Sequence, residues 1–266
     1  MKTASRIFTV LFFIFLFAPI AILLIFSFNS TKSLSVFSGF SMKWYSELVH
    51  DAQTLTSVKN TLILAFLAMI ISTAMGTAAS VGILKLRNAW YRRYMDTVTD
   101  IPMTNPDLIT GISLMLMFVF VGRFFGRNAS LSFGTLLIAH ITFCLPYVIL
   151  QVLPKLQQMD QALPEAAQDL GCTPLRAFFK VTVPEIAPGI ITGAIMAFTM
   201  SLDDFVISYF TSGNGFQTLP IRIYNMTKKT VTPKMYALAT ITFFVILALL
   251  IFTNLSDSNK NGGTRK

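Results

Sequence analysis

The sequence predicts an all-α polytopic membrane protein with about six transmembrane helices, and three observations predict it. Hydrophobic residues fill 54% of the 266 positions and charged residues only 12%, where a soluble domain carries about 25% charged residues. The apolar residues fall in long runs, and six of these approach the roughly 20 residues that cross a bilayer. The formal net charge of +9 could suggest nucleic acid, but the basic residues are scattered at the ends of apolar runs, where membrane spans place them. No nucleic-acid partner is expected.

The first run covers Ile7–Phe28. It is longer than the core of a secretory signal and is followed by no small-residue cleavage site, so an uncleaved span is expected. The second covers Thr61–Leu84, where Gly76, Ala78, Ala79 and Gly82 supply the small surfaces on which membrane helices pack. The third covers Thr97–Val121, and its first half contains IPMTNPD, two prolines and an acid that should disturb the backbone ladder. The fourth, fifth and sixth cover Leu131–Leu153, Ala187–Phe210 and Tyr236–Asn254. A single domain over 1–266 is expected, with a disordered polar tail at 255–266. With the N-terminus cytoplasmic, 12 of the 21 lysines and arginines fall inside and 9 outside, which favours both termini in the cytoplasm.

Cys144 and Cys172 share no metal-ligand spacing, and His50 and His140 are far apart, so free thiols and no metal site are expected. His140 reads as a hydrogen-bonded packing residue.

The longest polar connection, at about 155–187, contains QALPEAAQDLGCTPLRAFFKVTVPE. Pro164 and Glu165 suit a helix start and Gly171 its stop. Thr173 can cap a second helix, with Leu175, Phe178 and Phe179 on one apolar stripe and Pro184 ending it. Such a pair can lie on lipid headgroups or dock onto a partner protein.

Glu165-Ala166-Ala167, three intervening residues, Gly171, nine intervening residues, then Val181-Thr182-Val183-Pro184 resembles the EAA loop of binding-protein-dependent ABC importer permeases. The departures from that pattern are Val181 and Val183. KWYSEL, NPDLITGISL, HITFCLPYVI, SLDDFVISYF and LPIRIYNMTKKTVTPKMYALATI extend the resemblance over nearly the whole chain, toward PotC-type permeases of spermidine and putrescine importers. The resemblance implies the type I (MetI-like) permease fold in a bacterial inner membrane. It implies four kinds of partner: a second, homologous permease, a dimer of ATP-binding subunits docked on the EAA loop, an extracytoplasmic polyamine-binding protein and membrane lipid. The chain carries no G-x-x-x-x-G-K-[ST] motif, so ATP and Mg²⁺ should sit on the partner ATPase and the chain itself should be non-catalytic, with no cofactor of its own.

Polyamines are flexible polycations, and their path needs fixed negative charge. Asp203 and Asp204 interrupt the fifth span, and intramembrane acids mark substrate paths by default. On a continuous helix Gly189, Gly193, Ala197, Ser201, Asp204 and Ser208 share one face, which can line a polar cavity or abut another helix. The two acids would lie about sixteen residues, roughly 24 Å, along that span. Alternatively they cap helices or pair with a cation such as Arg222. Asp107 faces the path, starts a helix after Pro106, or does both. Trp44 either offers its indole face to a cation or anchors the interface. Ferric-ion, thiamine and opine-type importers remain related possibilities. A proton- or sodium-coupled transporter would leave the EAA loop without a role, and a non-transporting scaffold would leave the acids unexplained.

Overall fold

A computed structural model describes residues 2–33, 36–125, 131–213, 215–228 and 232–261, with backbone only at 2–5 and 249–261. Its elements are α1 (Lys2–Ser27), α2 (Lys43–Val49), α3 (Ala52–Leu84), α4 (Ala89–Thr104), α5 (Asp107–Phe124), α6 (Phe133–Gln158), α7 (Ala162–Asp169), α8 (Pro174–Ala177), a π-helical turn (Phe178–Thr182), α9 (Val183–Asp203), α10 (Val206–Thr211), α11 (Leu219–Thr227) and α12 (Pro233–Asn261). Five continuous helical runs are long and apolar enough to cross a membrane, and the apolar part of α12 among the described residues is the shorter Pro233–Ala248. The chain folds as two compact units, Met1–Val58 with Ile221–Lys266 and Lys59–Pro220. α12 continues to Asn261, into the segment expected to be a polar tail, and 262–266 lie outside the described residues.

In the first unit the connection after α1 is knitted around Asn29, which is fully buried. Its Nδ2 donates to the carbonyls of Ser33 and Val36 at 2.9 and 2.8 Å, and its Oδ1 accepts from the Ser38 amide at 2.9 Å. A buried amide must satisfy both ends, and this one does so by folding its own loop. Trp44 at the start of α2 completes the knot, its indole N–H donating to the Asn29 carbonyl at 2.6 Å.

The second unit is organised on α6. Its buried residues run the length of the helix, from Leu136, Ala139, His140, Phe143 and Cys144 through Pro146, Val148 and Ile149 to Val152 and Leu156. The main partner is α9, which presents Gly189, Gly193 and Ala197 to it. A Cβ on Gly189 would stand 2.7 Å from the Gln151 carbonyl, and one on Gly193 3.3 Å from Val148 Cγ1. Cys144 Sγ reaches the Ala197 carbonyl at 3.4 Å. The small-residue face of the fifth span therefore abuts a helix, the packing that small residues permit in membranes.

The third and fifth spans depart furthest from the expected ones. The third is not continuous: Asn105 and Pro106 take extended backbone, with ψ of 137° and 134°, and divide α4 from α5. Pro106 has no N–H to give and disfavours helical backbone at Asn105. The fifth starts earlier and stops sooner than expected, running as 30 residues from Pro174 to Asp203. Pro184 does not end a helix; it sits in the first turn of α9, directly after the π turn. Through that wider turn the Val183 amide bonds the Phe178 carbonyl, and the helix passes the proline unbroken.

Candidate functional site: a broken helix and a coupling loop

The expected acids sit where α9 breaks. Asp203 is the last residue of α9, and Asp204 turns to extended backbone at ψ 125°. The Asp204 carboxylate folds forward over α10, Oδ1 accepting from the Ile207 amide at 3.2 Å and Oδ2 from Ser208 at 2.8 Å. Its side chain is 5% exposed and Oδ2 stands 3.5 Å from His140 Nε2. This is the capping alternative, and the physical reason is direct: amides at a helix start lack intrahelical partners, and a carboxylate satisfies them best. Asp203, its neighbour, is solvent-exposed.

His140 holds the break from α6. Its Nδ1 bonds Ser201 Oγ at 2.8 Å and its Nε2 bonds Ser208 Oγ at 2.9 Å, so one fully buried ring ties the last turn of α9 to α10. The packing reading of His140 is right, yet no sequence spacing links it to serines 61 and 68 positions away. Ser201, expected on the solute path, is 2% exposed and turned to that ring.

The two breaks are neighbours. A Cβ on Gly111 of α5 would stand 3.2 Å from Phe210 Cδ2 and 3.5 Å from Ile207 Cα of α10. Asp107 opens α5 one turn before Gly111 and is exposed, so it both starts a helix and faces outward. Arg222, offered as a partner for Asp203 or Asp204, is engaged elsewhere. Its guanidinium donates to Asp51 Oδ2 at 3.2 Å and to Gln53 Oε1 at 2.7 Å, and Lys234 Nζ reaches the same Asp51 oxygen at 2.7 Å. Asp51 also caps α3 through the Gln53 amide at 3.1 Å. Asp51 was not among the expected residues; an aspartate just before a helix is a signal that could have found the cap, and no local signal marks its two cations. Burial pushes the Asp51 carboxyl up, but Lys234 and Thr54 outweigh it and hold the group well below the usual carboxylate range. Trp44 is 4% exposed, with Lys43 Nζ 5.5 Å from its ring centroid. Its indole is therefore packed against the chain's own loop and presents no open face to a solute cation.

The EAA segment forms the expected pair of turns. α7 ends in a Schellman motif: Cys172 N–H donates to the Ala167 carbonyl at 3.0 Å and Gly171 N–H to Gln168 at 2.9 Å, with Gly171 at φ +88°. That left-handed position suits glycine. Thr173 Oγ1 then accepts from the Arg176 amide at 3.4 Å. The result is an outward apolar surface with Leu170 87%, Leu175 72% and Phe179 65% exposed, while Phe178 is partly covered. Glu165 and Gln168 border a cavity of about 290 Å³ that also touches Val81, Leu84 and Lys85 of the α3 end and Leu156 of α6.

Residues 76–260 match the family model of binding-protein-dependent transport system inner membrane components. The chain belongs to that family. The permease is 40% identical over 229 residues to the putrescine transport system permease protein PotI of Escherichia coli K12, covering 86% of this chain and 82% of the relative. It is 34% identical over 247 residues to the spermidine/putrescine transport system permease protein PotC of Haemophilus influenzae, covering 93% of both. A chain of a bacterial ABC transporter involved in the import of the acidic polysaccharide alginate superposes with a TM-score of 0.74 at 18% identity, over 97% of this chain and 95% of that one. A chain of a bacterial alginate ABC transporter in complex with alginate pentasaccharide-bound periplasmic protein gives 0.71 at 20% identity, over 95% and 92%. These likenesses establish the MetI-like permease fold and an inner-membrane transport component, as the sequence led one to expect. Among the described residues no group of three acids, histidines or cysteines could hold a metal.

Proposed function

We propose that this chain is one permease subunit of an ATP-driven polyamine importer. The 40% identity to a putrescine permease over 86% of the chain carries that reading. It assembles with a second, homologous permease, a dimer of ATP-binding subunits that hold ATP and Mg²⁺, and an extracytoplasmic binding protein. Both termini are cytoplasmic. Asp203 and Asp107, exposed at two adjacent helix breaks, supply the fixed negative charge for an ammonium group. Irregular backbone at membrane depth is tolerated where it lines a cavity, which supports a path at these breaks. Asp204 shapes the site by capping α10 and does not meet solute directly.

Coupling to the ATPase runs through the EAA loop. Leu175 and Phe179 form the exposed apolar contact, and Glu165, Ala166, Ala167 and Gly171 set its shape. Phe178 anchors it and Pro184 leads into α9. From Pro174 to Asp203 the helix is continuous for 30 residues, about 45 Å, so a push on the loop reaches the acid without a joint other than the π turn.

The test is uptake of labelled spermidine and putrescine by proteoliposomes holding the complete complex, with ATP hydrolysis followed in parallel. Asp203→Asn should lose uptake while assembly and hydrolysis persist. Full polyamine uptake by that variant would remove Asp203 from the path. No polyamine uptake by the wild type would remove the substrate assignment.

A further inference from the structure

None of the 16 residues of α4 is buried. Its apolar side chains nevertheless fall on one arc. Trp90, Tyr94, Val98 and Ile101 recur at three- and four-residue steps and are 66%, 52%, 40% and 52% exposed, while Arg92, Arg93, Asp96 and Asp100 occupy the opposite arc. The aromatic residues cluster in the first turns, Trp90 and Tyr94 stacked at 5.9 Å and 7° and Tyr91 edge-on to Trp90 at 5.1 Å. Tryptophan and tyrosine rings of this kind favour the headgroup level of a bilayer.

The cations gather at the start of the helix. Lys85, Arg87, Arg92 and Arg93 fall within nine residues, and no acid occurs from 52 to 95. The ion pairs within 4 Å among the described residues involve none of these four cations. Asp96 and Asp100 lie one and two turns further along α4, so they leave the first turn basic. A second protein seated on the ring arc would leave Arg92 and Arg93 on the other arc unmet, and charged side chains are depleted at interface cores. An anionic phospholipid surface meets the whole pattern, rings in the interface and cations at the phosphates.

We propose that the start of α4 is a binding site for anionic phospholipid headgroups, with Arg87, Arg92 and Arg93 on the phosphates and Trp90, Tyr91 and Tyr94 at the acyl boundary. The end of α3 that precedes it, with Lys85, lines the cavity with Glu165 and Gln168. The site does not depend on which solute is carried.

Trp90 is a built-in reporter, since Trp44, the second of the chain's two tryptophans, is buried. The complete complex is placed in phosphatidylcholine nanodiscs doped with equal fractions of acyl-brominated phosphatidylcholine or acyl-brominated phosphatidylglycerol. The fluorescence difference between wild type and Trp90→Phe isolates the Trp90 signal. Stronger quenching by the phosphatidylglycerol is expected. That preference should disappear in the Arg87→Gln/Arg92→Gln/Arg93→Gln variant and survive when the same three become lysine. No quenching by either lipid would mean that protein covers the face, and equal quenching by both would mean an aromatic anchor without headgroup selectivity; each overturns the site. A preference that persists in the glutamine variant does so too, provided the wild-type assembly is retained.

Discussion

Oδ2 of Asp204 stands 3.5 Å from Nε2 of His140, yet that carboxylate accepts hydrogen bonds from the Ile207 and Ser208 amides. The acid that looked best placed for a cation is thus committed to holding a helix end, and the adjacent Asp203 is the one left open.

The two aspartates should separate under substitution. Asp204→Ala leaves two helix-start amides unpaired and should cost about 0.5–2 kcal/mol, while asparagine, itself a good cap, costs less. Asp203→Asn should leave the melting temperature of the purified complex unchanged and reduce polyamine uptake. Thermal unfolding and uptake measured on the same preparations check both.

His140→Ala removes the partner of two buried hydroxyls. Leaving a buried polar group unsatisfied costs about 1–3 kcal/mol, so a clear fall in thermal stability is expected. Ser201→Ala combined with His140→Ala should add little beyond the single change, because the interaction is already lost.

Gly189→Val should disrupt the α6–α9 seam. Its first added carbon would lie 2.7 Å from a backbone carbonyl, which cannot move as a side chain does, and overpacking costs about 1–3 kcal/mol. Gly82→Val, with nothing within 4 Å of the new carbon, is the control and should retain expression and assembly.

Asp51 gives a pH signature. A carboxyl held below its usual range in the folded chain adds stability above the unfolded pKa of about 3.9, and loses it as pH falls below that value. Melting of the detergent-solubilised complex should therefore weaken toward pH 3 by a component that Asp51→Asn abolishes. The same substitution should lower stability at pH 7, where Arg222 and Lys234 lose their shared carboxylate.

Leu175→Asp or Phe179→Asp should preserve the fold, because both side chains are mostly exposed. Uptake should fall while residual ATP hydrolysis continues, which parallel flux and phosphate-release assays distinguish.

The sequence by itself determined the membrane class, the family and the local devices of the EAA segment. Long apolar runs, the Gly171 stop, the Thr173 cap and the disturbance at Asn105-Pro106 depend on chemistry within a few residues, so they are legible in one dimension. Tertiary structure alone decided which acid is free. Whether Asp204 lines a path or caps α10 depends on the chain leaving helical backbone at 204, and a hydropathy run does not record that. The tie from His140 to Ser201 and Ser208, and from Asp51 to Arg222 and Lys234, joins residues far apart in the chain. A hydrogen bond is fixed by a distance of about 3 Å in space, whatever the separation along the sequence.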